Sequence, residues 1–130
     1  MLFRNAHAKL TRRIRSVSLA EEYWKRFRIR LKSDEEVEGI ARAGELVVRT
    51  LDMVAAHIRP GMTGESLNGL VHAYTLDHGA RPAPLDYRGF PKSVCISVNE
   101  EICHGIPGSR ELREGDIVNI DLTLIVDGWY

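Results

Sequence analysis

Asp121 is the residue whose surroundings most invite chemistry. It lies within Asp116–Tyr130, DIVNIDLTLIVDGWY, which reads as one strand, a tight turn and the start of a returning strand. Successive strand side chains point to opposite faces. Val118, Ile120, Leu122, Leu124 and Val126 therefore form an apolar face, and Ile117, Asn119, Asp121, Thr123 and Ile125 form the other. A carboxylate there is either near solvent or held by partners, because an isolated buried charge is very costly. His104 is the second such residue, at the end of a short apolar run between Cys103 and Gly105-Ile106-Pro107. A carboxylate and an imidazole on neighbouring strands suit a hydrolytic metal site or acid–base pair. They also suit a carboxylate bonded by Thr, Asn or backbone donors and a satisfied core histidine, and the residues alone leave both readings open. Cys103 beside His104 is no nucleophile pair, since sequence neighbours on a strand face opposite ways. Cys95, on a small-residue face, reads as pocket lining.

The elements that must position these residues follow in order. Ser33-Asp34-Glu35-Glu36 is a capping box. Apolar residues at Val37, Ile40, Ala41, Leu46, Val47, Leu51, Val54 and Ile58 continue from it at a step near 3.6, so a helix is expected from about Asp34 to His57. Arg59-Pro60-Gly61 ends it. Thr63 is the expected N-cap of a second helix, about Gly64 to Asp77, with Leu67, Leu70, Val71 and Tyr74 as its stripe and Gly79 as its stop. His57, His72 and His78, on or near these helices, read as surface or core-edge histidines. Ala80–Lys92, with Pro82, Pro84 and Pro91, is a stiff surface loop carrying Tyr87 and Phe90. Ser93–Val98 is a strand with a small polar face, Asn99–Glu101 a turn, and Ile102–His104 the start of another strand. Asp127-Gly128 is a favoured two-residue hairpin loop, pairing Val126 with Trp129. A returning strand so short leaves an open edge, and the chain is expected to be a fragment. Helices followed by hairpin-linked strands argue an α+β fold, with helices packed on a curved antiparallel sheet.

At 130 residues the chain holds one domain at most, with ordinary globular composition: 44% hydrophobic and 28% charged. Two cysteines make no disulfide framework and fit a cytoplasmic protein. No apolar run is long enough for a membrane span. Zero net charge conceals an asymmetry: residues 1–32 hold ten Lys/Arg and two Glu, the remainder eight Lys/Arg and sixteen Asp/Glu. The basic start permits a solvated tail, an organelle-targeting segment or a nucleic-acid-binding arm. Tyr23, Trp24 and Phe27 interleaved with Lys25, Arg26, Arg28 and Arg30 suit single-stranded nucleic acid, or a short amphipathic segment lying on the domain.

Three blocks in order, Phe90-Pro91-Lys92-Ser93-Val94-Cys95-Ile96-Ser97-Val98-Asn99, Ile102-Cys103-His104-Gly105-Ile106-Pro107 and Gly115-Asp116-Ile117-Val118-Asn119-Ile120-Asp121, closely resemble type I methionine aminopeptidase. The resemblance runs from about Ile29 to Tyr130, leaving residues 1–28 as a basic N-terminal arm. It implies the pita-bread fold, with residues 29–130 as the N-terminal half of the catalytic domain. It also implies removal of the initiator methionine from nascent chains, assisted by two divalent metal ions (Co, Mn, Fe or Zn) held by two Asp, one His and two Glu. Asp121 matches the first Asp. The second would fall at position 132, and the His and both Glu belong to the other half. His104 matches a catalytic histidine that contacts the substrate; Tyr87, Phe90 and Cys95 match the lining of the methionine pocket. Arg88 stands where a His is frequent, and Pro84 where a Cys is often found.

The expected enzyme is a cytoplasmic monomer at full length, with the basic arm as a ribosome contact or organelle-targeting segment. These 130 residues alone are expected to be inactive, because Asp121 and His104 cannot hold two metals. The alternatives are a non-catalytic binding module of the same fold acting at the ribosome or RNA, and a peptidase acting on Xaa-Pro bonds.

Overall fold

The computed structural model describes residues 18–130. The chain divides into two compact units between Lys32 and Ser33. Most of the basic arm lies outside the described residues. What is described of the first unit contains helix α1, Leu19–Phe27, capped by Ser18, whose hydroxyl accepts from the Glu21 amide at 3.2 Å. The helix ends at Arg28 in the left-handed conformation. The guanidinium of Arg28 lies over the Trp24 ring and that of Arg26 over Phe27. The expected amphipathic segment is thus a helix.

The second unit begins with the capping box. Ser33 accepts from the Glu36 amide at 3.2 Å, and the Glu36 carboxylate accepts from the Ser33 amide at 2.8 Å. Helix α2 runs Asp34–Ala55 and α3 runs Gly64–Asp77, N-capped by Thr63 as expected. The face α2 buries is narrower in side-chain volume than the apolar period suggested: Gly39, Ala43, Leu46, Thr50 and Val54. Val37, Ile40 and Ile58 remain exposed. Small residues win the inner face because α2 packs closely against neighbouring chain. The Trp129 indole lies directly on Gly39, where an added Cβ would come within 2.5 Å of the ring. Buried Thr50 and Thr75 donate to the carbonyls of Leu46 and Val71 one turn back, so neither hydroxyl is left unbonded.

Four short strands follow: β1 Arg81–Pro82, β2 Cys95–Val98, β3 Val118–Asp121 and β4 Leu124–Ile125. They pair antiparallel as β1 with β4 and β2 with β3. The fold is α+β, with two small ladders in place of one continuous curved sheet. The stretch expected as a single strand breaks at Leu122–Thr123, where the chain leaves its pairing with β2 and takes up β1. The predicted alternation of faces survives the break: Leu122 and Leu124 are buried, while Asn119, Asp121 and Thr123 are exposed. The hairpin loop is as predicted. Val126 and Trp129 exchange both backbone hydrogen bonds across Asp127 (φ 50°) and Gly128 (φ 83°), a backbone that Asp-Gly tolerates.

The core joins the helices to both ladders through Leu46, Val54, Leu67, Val71, Val94, Ile96, Leu112, Leu122 and Leu124. Leu67 is fully buried in α3. Leu67→Ala is expected to cost about 2–5 kcal/mol, read as a lower denaturation midpoint with an unchanged denaturant slope. No helix among the described residues is long and apolar enough to cross a membrane.

Candidate active site

Residue pairing in the β2–β3 ladder sets Cys95 directly opposite Asp121. Directly opposed side chains share a face, with Cβ atoms about 4.5–5.5 Å apart. Cys95 is 7% exposed. Burial pushes its thiol above the usual range, and the Asp121 carboxylate and Cys103 raise it further. Cys95 is therefore a neutral thiol near neutral pH, fitted to line a pocket rather than to attack.

The start of β3 is set by Asn99, whose φ of 55° turns its side chain onto the incoming chain. Its carboxamide oxygen accepts from the Ile117 amide at 2.9 Å, and its amide donates to Asp116 at 2.8 Å. Asp116 also accepts from the Arg113 amide at 2.8 Å. These bonds, led by that from Asn99, hold the Asp116 carboxyl below its ordinary range. The turn was readable from sequence; the clasp that fixes the register of Asp121 was not.

His104 is not on a strand. The expected strand at Ile102–His104 is replaced by an irregular segment, with Ile102 93% exposed and His104 at φ 53°. Side chains take the hydrogen bonds that a ladder would have used. The Glu101 carboxylate accepts from the Val98 amide at 3.1 Å, and Ser97 Oγ accepts from the Gly105 amide at 3.1 Å. Backbone bonds from the Ile96 amide to the Gly105 carbonyl at 2.9 Å and from the Glu101 amide to the Val98 carbonyl at 3.3 Å tie the segment to β2.

The chain between β1 and β2 makes an excursion and binds itself. Asp86 N donates to Phe90 O at 2.8 Å, Tyr87 N to Pro84 O at 3.0 Å, and Phe90 N to Tyr87 O at 3.0 Å. The resulting 3-10 turn, Tyr87–Gly89, stands as a wall over the β2–β3 floor. Between wall and floor is a cavity of about 850 Å³. Tyr87, Phe90, Cys95, His104 and Asp121 all line it, so the structure brings together the five residues expected at the site. Arg88, Ile106 and Thr123 line it too. Thr123 was legible as the i+2 neighbour of Asp121 on one strand face; Ile106 carried no signal.

His72 on α3, and His57 and His78 just past the ends of α2 and α3, stay out of the cavity. His57 and His78 each donate through Nδ1 to a carbonyl one turn back, those of Met53 and Tyr74. His72 Nδ1 shares a 2.8 Å hydrogen bond with buried Ser93. Among the described residues no group of three or more His, Cys, Asp and Glu gathers to hold a metal ion. Asp121 offers a hard, exposed anionic oxygen in a cavity, which fits one donor of a site for a divalent ion.

Known proteins share this sequence and fold. The chain is 50% identical over 103 residues to methionine aminopeptidase A of Synechocystis sp., covering 78% of this chain and 41% of that protein. It is 48% identical over 102 residues to the methionine aminopeptidase of Rickettsia prowazekii, covering 78% and 39%. The crystal structure of the Rickettsia prowazekii enzyme superposes with a TM-score of 0.77 at 48% identity, over 78% of this chain and 41% of that one. The chain thus spans about two fifths of the length of these relatives, and its α+β fold is that of one part of the pita-bread architecture. Residues 38–130, from the first turns of α2 through the whole cavity floor, match metallopeptidase family M24, and the chain belongs to that family.

Proposed function

We propose that this chain is the N-terminal half of a methionine aminopeptidase, which removes the initiator methionine from new polypeptides by metal-assisted hydrolysis. Residues 29–130 supply that half and residues 1–28 a basic arm. The observation that carries the reading is the convergence of Asp121, His104, Cys95, Tyr87 and Phe90 on one cavity. Identity near one half to named methionine aminopeptidases supports it. A non-catalytic binding role draws no support from these relatives.

In this reading Asp121 is one of the donors to the divalent ions, which would supply Lewis acidity toward the scissile carbonyl. His104, held by its clasped loop, contacts the substrate peptide. Tyr87 and Phe90 offer rings to the methionine side chain, and the neutral thiol of Cys95 adds a soft, polarizable surface; both suit a thioether. The exposed rim leaves room for the rest of the peptide to continue into solvent.

The complete protein loaded with divalent metal is expected to release methionine from Met-Ala-Ser, and to lose that activity on treatment with a chelator. Residues 1–130 alone are expected to release none, because a lone Asp121 leaves a metal pair without enough donors. Failure of the metal-loaded protein to release methionine would end the reading. Turnover by residues 1–130, abolished by His104→Ala, would show that the second half is dispensable.

A further inference from the structure

We infer that Arg88 makes this cavity favour peptides bearing a carboxylate downstream of the cleaved bond. The inference rests on the proposed aminopeptidase reading and deepens it. In that reading the charge of Asp121 is committed to metal. Arg88 is then the one guanidinium or ammonium group among the residues lining the cavity. Among the described residues it has no ion-pair partner. Its guanidinium carbon lies 5.4 Å from the centroid of the Tyr87 ring, and Tyr87 is itself 63% exposed at the cavity wall. A guanidinium resting on an aromatic face keeps its in-plane N–H donors free at the edge, in the fork that matches a carboxylate.

The backbone argues the same way. Arg88 has a φ of 51°, between Asp86 at 64° and Gly89 at 83°. A left-handed conformation is uncommon for a long side chain, and glycine or asparagine would hold it with less strain. The backbone bonds from Asp86 to Phe90 and from Phe90 to Tyr87 lock the turn in this shape. The side chain is thereby presented from a rigid wall, not from a mobile tip. A cation placed so, with no carboxylate partner among the described residues, recognises an anion that arrives with the substrate. In a peptide that anion is a carboxylate, from an acidic side chain or from the C-terminus of a short substrate.

The test uses the complete, metal-loaded protein and C-terminally amidated peptides Met-Ala-Glu-Ala, Met-Ala-Gln-Ala and Met-Ala-Lys-Ala, with Met-Ala-Ser as free acid and as amide. The Glu peptide is expected to exceed the Gln peptide in kcat/KM by about fivefold, the upper range for a solvent-exposed charge pair. The Lys peptide falls below both. The difference resides in KM and shrinks at high salt. Arg88→Glu inverts the order of Glu and Lys peptides, and Arg88→Lys keeps it; each ratio is taken within one variant, so a general loss of activity cannot imitate the effect. Preference for the free acid over the amide, without discrimination among side chains, assigns the recognised carboxylate to the peptide C-terminus. Glu/Gln and acid/amide ratios both within about twofold of unity, or ratios that Arg88→Glu leaves unchanged, would overturn the inference. Absence of methionine release from the neutral Gln peptide would instead overturn the aminopeptidase reading itself.

Discussion

Asp121→Asn in the complete protein is expected to abolish methionine release while leaving the fold intact. Asn has the size of Asp and keeps one carbonyl oxygen, so the β3 backbone is not asked to move. Asp121 is exposed in the cavity and is not part of the core, and a surface change of this kind usually shifts stability within about 0.5 kcal/mol. What changes is charge. A neutral amide oxygen is a much weaker donor to a hard divalent ion than a carboxylate. Groups that only support metal ligands from behind already cost about 10–100-fold in metal affinity or activity when removed. A direct donor should cost at least about a hundredfold in kcat/KM. The measurement pairs activity with metal content after dialysis and with a thermal melt. Lost metal and activity with an unchanged melting temperature is the expected result. Full metal content and full activity in Asp121→Asn would remove Asp121 from the site.

The sequence alone carries part of this expectation. The alternation through Val118–Val126 put Asp121 on a face apart from the core, and burial follows that alternation. The helices were legible because their signals are local: a reciprocal capping box at Ser33 and Glu36, and a threonine cap at Thr63. Spacing alone left Asp121 and His104 open to other readings; the small-residue face of its strand marked Cys95 as pocket lining, and Tyr87 and Phe90 gained a site role only through family resemblance. What could not be read is set by distant partners. Nothing between Ile120 and Leu124 signals that β3 and β4 pair with different strands, because the reason lies at Arg81–Pro82 and Cys95–Val98. The segment Ile102–His104 has strand-like composition. Its fate is decided by side chains of Ser97 and Glu101 that take backbone hydrogen bonds. Arg88 was noticed only as a departure from its family, since its left-handed backbone has no signature in an arginine.

Gly105→Ala is expected to show what that irregular segment does. The added methyl would collide with the backbone carbonyl oxygen of Ile96 and come within 2.7 Å of the Glu101 carboxylate. The Glu101 side chain has room to yield. The Ile96 carbonyl belongs to β2, pinned between the core and β3. The segment must therefore retreat from β2, and it can do so only by loosening the Ile96–Gly105 and Gly105–Ser97 hydrogen bonds. Overpacking of this sort costs about 1–3 kcal/mol. The larger effect should fall on catalysis, because His104 is the adjacent residue and its φ of 53° is tolerable only while the clasp holds. A misplacement of about 1 Å can cost on the order of a hundredfold in rate. The expected result is a fall in kcat of that order, with metal content retained, in a protein that still folds at low temperature. Ser97→Ala removes one arm of the clasp without a clash, and should produce a smaller loss in the same direction. A Gly105→Ala protein with undiminished kcat would mean that the segment tolerates displacement, and that the position of His104 does not limit the reaction.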